Sequence, residues 1–174
     1  LTESLLRRPN TTVIATTRSS SVDASALQGL PTAANTKLVI TTLSSNADTG
    51  AAAVIDEISK QGISHIDTVV ANAGLGDAFH PVLATPVDEI RLNFEVNTLG
   101  PIKLFQAAFP LLEKATNPKF ILISSVLGSI GGTEGELARA PTLAYGVSKA
   151  GANYFVRKVH CEHENVVAVA VHPG

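Results

Sequence analysis

Tyr145 and Lys149 stand four residues apart in a stretch, 142–163, that reads as a helix, so the two side chains share one face. A free tyrosine titrates near pH 10, and to exchange protons at neutrality it needs roughly 4 kcal/mol of differential stabilisation. A lysine ammonium alongside supplies part of that by favouring the phenolate. The chemistry such a pair offers is acid–base work on an oxygen, giving a proton to a carbonyl or taking one from an alcohol. Taken in isolation, the same spacing also describes a surface lysine beside a half-buried tyrosine. Two serines, Ser124 and Ser125, end an apolar run, and strand alternation sends them to opposite faces, one toward a crevice and one into structure. Asn97 lies among apolar neighbours in a helical stretch, where an amide must find its own hydrogen bonds.

The elements that must position these groups alternate regularly. Residues 1–8 read as the end of a helix, stopped by Pro9. Strands are expected at 11–17, 37–43, 66–71, 119–125 and 166–171, all rich in Val, Ile, Leu, Thr or Ala. Helices are expected at 22–30, 48–61, 86–115 and 142–163, the third turning or restarting near Pro101. Continuously apolar strands alternating with helices call for a parallel sheet covered on both faces, within one domain spanning 1–174. The strand at 66–71 runs into Asn72-Ala73-Gly74, a small-residue loop typical of the binding end of an open parallel sheet.

Composition narrows the function. Lys plus Arg number 13 against 15 Asp plus Glu, giving a net charge of −2 and no basic block to grip nucleic acid. No apolar run reaches the length that crosses a bilayer, so no membrane partner is expected. Cys161 is the only cysteine, which excludes an intrachain disulfide; it reads as a small buried filler late in a helix. His160 and His163 lack any zinc spacing and read as a polar helix end, so no metal is expected. The Asn10-Thr11-Thr12 triplet matches a glycosylation acceptor, but no secretory segment is visible and a cytoplasmic location is expected.

Asn72-Ala73-Gly74, Asn97 with Gly100, Ser124-Ser125, Tyr145 with Lys149, and Pro173-Gly174 occur in order, each at the end or start of its element. Together they resemble the short-chain dehydrogenase/reductase family over nearly the whole chain. More narrowly, Arg-Pro-Asn-Thr-Thr-Val-Ile-Ala and Val-Val-Ala-Asn-Ala-Gly resemble fungal ketoreductases of the norsolorinic acid reductase type. The resemblance implies an α/β, Rossmann-like, doubly wound parallel sheet and an enzyme that moves a hydride between a nicotinamide cofactor and a carbonyl or alcohol. It implies Tyr145 as the acid–base, Lys149 on the nicotinamide ribose hydroxyls, and Ser125 as the hydroxyl orienting the carbonyl. It makes Asn97 the holder of a water relaying protons from Lys149, where the residues alone also allow an internal cap near Pro101. Asn72, Ala73 and Gly74 would pass close to the adenosine ribose, and Pro173 and Gly174 would begin the loop against the nicotinamide. A homodimer or homotetramer, common in that family, fits long helices that are apolar on more than one side. An epimerase or dehydratase on the same scaffold, or a silent cofactor-binding protein, are the alternatives.

Cofactor choice turns on Arg18. A carboxylate after this strand would take both ribose hydroxyls of NAD, whereas Arg18 with Ser19 suits the 2′-phosphate of NADP(H), unless the arginine is merely solvated. The sequence departs from the resembled pattern in four places. Leu43-Ser44-Ser45 stands where relatives place an aspartate near the adenine, leaving Ser44 a weaker hydrogen bond. The Gly-rich stretch between Ser125 and Tyr145 is longer than usual, and either shapes the substrate pocket or bulges into solvent. The first strand with its glycine-rich turn, and the region beyond Gly174, are not in these residues. In a doubly wound sheet that first strand is central, so its absence is expected to leave two slabs with unpaired inner edges. These 174 residues alone are not expected to fold stably.

Overall fold

β-Branched and apolar runs form five strands, and every pairing among them is parallel. The computed structural model describes residues 1–44, 50–77 and 79–174; Ser45 and the first two residues of the expected helix 48–61 lie outside them. A short helix α1 (Thr2–Leu6) buries Leu6 and leads to β1 (Thr12–Thr17). Of the expected helix at 22–30 only one turn, α2 (Ser25–Gln28), is formed. Strand β2 (Lys37–Thr42) pairs with β1 in register from Thr12 opposite Lys37 to Thr17 opposite Thr42. Helix α3 (Gly50–Lys60) turns Ala51, Val54 and Ile58 inward, the spacing of one helical face.

Strand β3 (Thr68–Ala71) opens the second half of the chain. After it come α4 (Val87–Phe94), a π-helical turn at Glu95–Leu99 and α5 (Gly100–Leu112), forming the long helix expected at 86–115. Its irregularity is centred on Asn97 and precedes Pro101, which sits in the first turn of α5, where a missing N–H costs little. Strand β4 (Lys119–Ile123), α6 (Leu143–Glu162) and β5 (Val167–Val171) complete the fold.

The strands make two sheets, β1-β2 and β3-β4-β5. The facing edges of β1 and β3 are not hydrogen-bonded to each other, and a cavity of about 230 Å³ lies between them, lined by Ile14 and Thr16 on one side and Thr68–Ala71 on the other. This is the pair of slabs expected where the resembled fold has its first strand. The main core fills the second slab: Phe105 meets Phe120 and Phe155 edge-on at 5.2 and 5.8 Å, with Leu112, Leu122, Ala152 and Val156 around them. A smaller cluster of Val54, Ile58 and Leu111, packed against Ile14 and Val39, joins the slabs through α3 and α5.

Two side chains depart from expectation. Cys161 is exposed rather than buried, because it lies with His160 and Glu162 on the solvent side of the last turn of α6 while Val159 takes the core side. His163 leaves the polar helix end to lay its ring 4.6 Å from that of Phe109. No helix among the described residues is long and apolar enough to cross a membrane, and none of their His, Cys, Asp and Glu side chains form a group of three that could hold a metal.

Candidate active site

Because all strands are parallel, their carboxyl ends share one edge, and there the site assembles. Helix α6 presents Tyr145 and Lys149 on successive turns, with the Lys149 ammonium 5.6 Å from the centre of the Tyr145 ring. Lys149 is buried, 3% exposed, and its Nζ donates a 2.8 Å hydrogen bond to the carbonyl of Ile123 at the end of β4. Burial pulls its pKa below that of an ordinary lysine. Ile123 is the only hydrogen-bond partner of Nζ among the described residues, so two of its three N–H groups stay available.

Asn97, in the π-helical turn, is fully buried and held on three sides. Its Nδ2 donates to the Leu75 carbonyl at 2.7 Å and to Ser148 Oγ at 2.9 Å, while its Oδ1 accepts the Leu75 N–H at 2.8 Å. A π-turn widens the helix locally and often marks a functional position, and here it aims the amide across to the loop after β3. Ser148 Oγ in turn donates to the Tyr145 carbonyl at 2.7 Å, and Thr98 Oγ1 to the Ser148 carbonyl at 2.7 Å. The helix carrying Asn97 and the helix carrying Tyr145 are thereby stitched together beneath the site.

The loop of Asn72, Ala73 and Gly74 passes over these groups. A Cβ on Gly74 would lie 3.3 Å from Asn97 Oδ1 and 3.5 Å from Lys149 Nζ, and one on Gly76 would lie 3.0 Å from the Tyr145 ring. The absence of side chains lets the backbone approach Lys149 and Tyr145 closely. Ser125 continues β4 in extended conformation, and its Oγ accepts the N–H of Leu127, opening a 3₁₀ turn at Val126–Gly128. Its proton is left to donate elsewhere. Ser124 takes the other face, buried, with its Oγ donating to Asn153 Oδ1 on α6 at 2.6 Å.

The remaining expected residues lie along the same edge but do not join this cluster. Arg18 is exposed beyond the end of β1, with no ion pair among the described residues; Ser19 beside it shares a 2.7 Å hydrogen bond with Ser21. Ser44 lines the cavity between the slabs together with Asn72 and Ala73. Pro173 and Gly174 are exposed beyond β5. Sequence reasoning missed Ser148, Asn153, Gly76 and Gly128; Asn153 alone carried a signal, since it is one more helical turn along the face of Tyr145 and Lys149.

The donor set fits the ribose end of a nicotinamide dinucleotide: two free ammonium N–H groups on Lys149 suit a diol, beside a loop at Gly74 that a Cβ would crowd.

A parallel α/β sheet with tyrosine and lysine one helical turn apart at its carboxyl edge defines a class of oxidoreductase scaffold. The chain belongs to the short chain dehydrogenase family, whose profile matches residues 2–174. Its sequence is 38% identical, over its whole length, to norsolorinic acid ketoreductase nor1 of Dothistroma septosporum, covering 66% of that protein. It is 36% identical to norsolorinic acid ketoreductase of Aspergillus parasiticus, covering 65% of it. The chain thus spans about two thirds of the length of these curated relatives. Among solved structures, NADPH-bound carbonyl reductase from chicken fatty liver superposes with a TM-score of 0.81 at 27% identity, over 92% of this chain and 64% of that one.

Proposed function

We propose that the protein reduces a ketone with NADPH, and oxidises the matching alcohol in reverse, using Tyr145 as proton donor and acceptor. The observation that carries this reading is the buried Lys149 ammonium, fixed by Ile123 and 5.6 Å from the Tyr145 ring. A bound nicotinamide supplies the hydride. Ser125 donates a hydrogen bond to the carbonyl oxygen and holds it at the carboxyl edge of β4. Tyr145 then gives its phenolic proton to that oxygen, and the Lys149 charge stabilises the phenolate that remains. Asn97 keeps one Oδ1 lone pair beyond its three hydrogen bonds, enough to hold a water that restores the proton by way of Lys149.

Lys149 would hold the nicotinamide ribose, with Pro173 and Gly174 against the nicotinamide and Asn72, Ala73, Gly74 and Ser44 toward the adenosine. The exposed Arg18 with Ser19 supports NADP(H) over NAD(H), as does the NADPH in the chicken carbonyl reductase. An aromatic or polyketide-like ketone is the substrate class, on the strength of the norsolorinic acid ketoreductases that the chain resembles. Exposed Val147 and Tyr154 on α6 and Leu92 on α4 support a homodimer or homotetramer through these helices. A cytoplasmic location agrees with an intracellular cofactor.

The test is single-turnover reduction of an aryl ketone by the full chain with NADPH deuterated at the transferable position. Deuterium on the carbinol carbon, lost with Tyr145→Phe together with at least ~100-fold in kcat, is expected. Product formed without net cofactor oxidation would point to an epimerase or dehydratase. NADPH binding without turnover would mark a silent binding protein.

A further inference from the structure

We infer that Asn153 is a positioning residue that sets where Ser125 stands relative to Tyr145, an inference that rests on Ser125 orienting the carbonyl. Tyr145, Lys149 and Asn153 follow one another at successive turns of α6. The Asn153 amide uses both ends: Oδ1 accepts from Ser124 Oγ at 2.6 Å, and Nδ2 donates to the Gly128 carbonyl at 3.0 Å. One side chain thus grips the residue immediately before Ser125 and the end of the turn that follows it.

The segment between those two grips is closed on itself. The Gly128 N–H donates to the Ser125 carbonyl at 3.0 Å, and the Leu127 N–H to Ser125 Oγ at 3.2 Å. Ser124 is further tied to β5, its N–H donating to the Val171 carbonyl at 2.7 Å. Gly128 is pressed so closely on α6 that a Cβ there would lie 2.7 Å from the Lys149 carbonyl carbon and 2.8 Å from Asn153 Nδ2. Ser125 itself makes no described side-chain hydrogen bond to α6, so its distance from Tyr145 is fixed through its neighbours. An amide suits the task because it accepts from a hydroxyl and donates to a carbonyl at once; aspartate retains only the first bond and leucine neither. A misplacement of about 1 Å in such a group can cost on the order of 100-fold in rate.

The experiment is a double-mutant cycle in the full chain between Asn153→Ala and Ser125→Ala, with amide hydrogen exchange as a second readout. Asn153→Ala is expected to lower kcat about tenfold or more with little change in the KM for NADPH, and Asn153→Asp by less. In the Ser125→Ala background the further loss should shrink to under about twofold, because the residue acts through Ser125. Exchange at the Leu127 and Gly128 amides should quicken at least about tenfold in Asn153→Ala. Equal losses in both backgrounds, or unaltered exchange at those amides, would overturn the inference while leaving the ketoreductase reading intact. A Ser125→Ala variant with undiminished kcat would overturn both. Ser124→Ala, which removes a single bond and spares the helix, is expected to repeat the pattern at smaller amplitude if Asn153→Ala does not fold.

Discussion

Asn97 clasps Leu75 by both of its backbone polar groups, taking its N–H at 2.8 Å and giving to its carbonyl at 2.7 Å. A side-chain amide paired with backbone in this way imitates a short piece of β-ladder. It fixes the loop after β3 over Tyr145, and its third bond, to Ser148, transmits the same constraint to α6. Asn97 is therefore a structural brace as well as the candidate water holder.

Replacing it tests the brace directly. Asn97→Ala would take the side-chain partner from the Leu75 N–H and carbonyl and leave the Ser148 hydroxyl only its bond to the Tyr145 carbonyl, at roughly 1–3 kcal/mol for each group left unpaired that water does not reach. Urea unfolding of the full chain should show a midpoint well below that of the parent, and kcat/KM should fall with it.

The loop's glycines give a graded set. Gly76→Ala must displace the Tyr145 ring, since the new methyl would sit 3.0 Å from it, and a drop in kcat of about tenfold or more is expected. Gly74→Ala is milder, at 3.3 Å from Asn97 Oδ1 and 3.5 Å from Lys149 Nζ. Gly131→Ala, in the separate stretch between Ser125 and Tyr145 and with nothing within 4 Å, should leave steady-state kinetics unaltered.

Lys149 predicts a pH dependence of stability. Burial lowers its pKa from the ordinary 10.5, so the unfolded chain holds that proton more firmly than the folded one. Its contribution is least favourable below the lowered pKa, where it is charged in both states. Stability contributed by this group rises as pH climbs from the lowered value toward 10.5, then levels off. Compared with Lys149→Met by denaturant titration, the parent should gain at most about 1.4 kcal/mol per pH unit within that alkaline window. Over the same window the charge beside Tyr145 is lost, so kcat should decline before pH 10.5 is reached.

Arg18 sets up a test of cofactor choice. Arg18→Glu removes the guanidinium that would meet a 2′-phosphate and puts a carboxylate near the ribose hydroxyls. The ratio of kcat/KM for NADPH to that for NADH should fall by about tenfold or more in initial-rate measurements, while Arg18→Lys should fall less.

Much of this was legible in the residues. The strands announced themselves as the nearly unbroken Val, Ile and Ala runs that parallel sheets use, such as 167–171, although in this chain Val167, Val169 and Val171 stay exposed. The gap between β1 and β3 followed from knowing which strand a doubly wound sheet places at its centre. Local signals fared worse where tertiary contacts decide. The helix at 22–30 shrank to Ser25–Gln28, where nothing it carries is buried. The long helix restarts near Pro101 as expected, but the π-turn just before it, held by Asn97, was not foreseen, because the bonds of Asn97 to Leu75 and Ser148 join segments far apart in sequence. Gly76 and Gly128 were invisible for the same reason: their need for hydrogen in place of a methyl comes from Tyr145, Lys149 and Asn153.

The divided sheet has a consequence for cooperativity. With no ladder between β1 and β3, the halves communicate through the contacts of α3 with α5 and the small cluster around Ile58 and Leu111. Each half is then expected to open with its own free energy. For a polypeptide of this span, amides in β1 and β2 should exchange by a lower-energy opening than those in β4, which lies between β3 and β5 over the phenylalanine core. The tyrosine and lysine sit on the better protected unit, and the arginine that would choose the cofactor sits on the other.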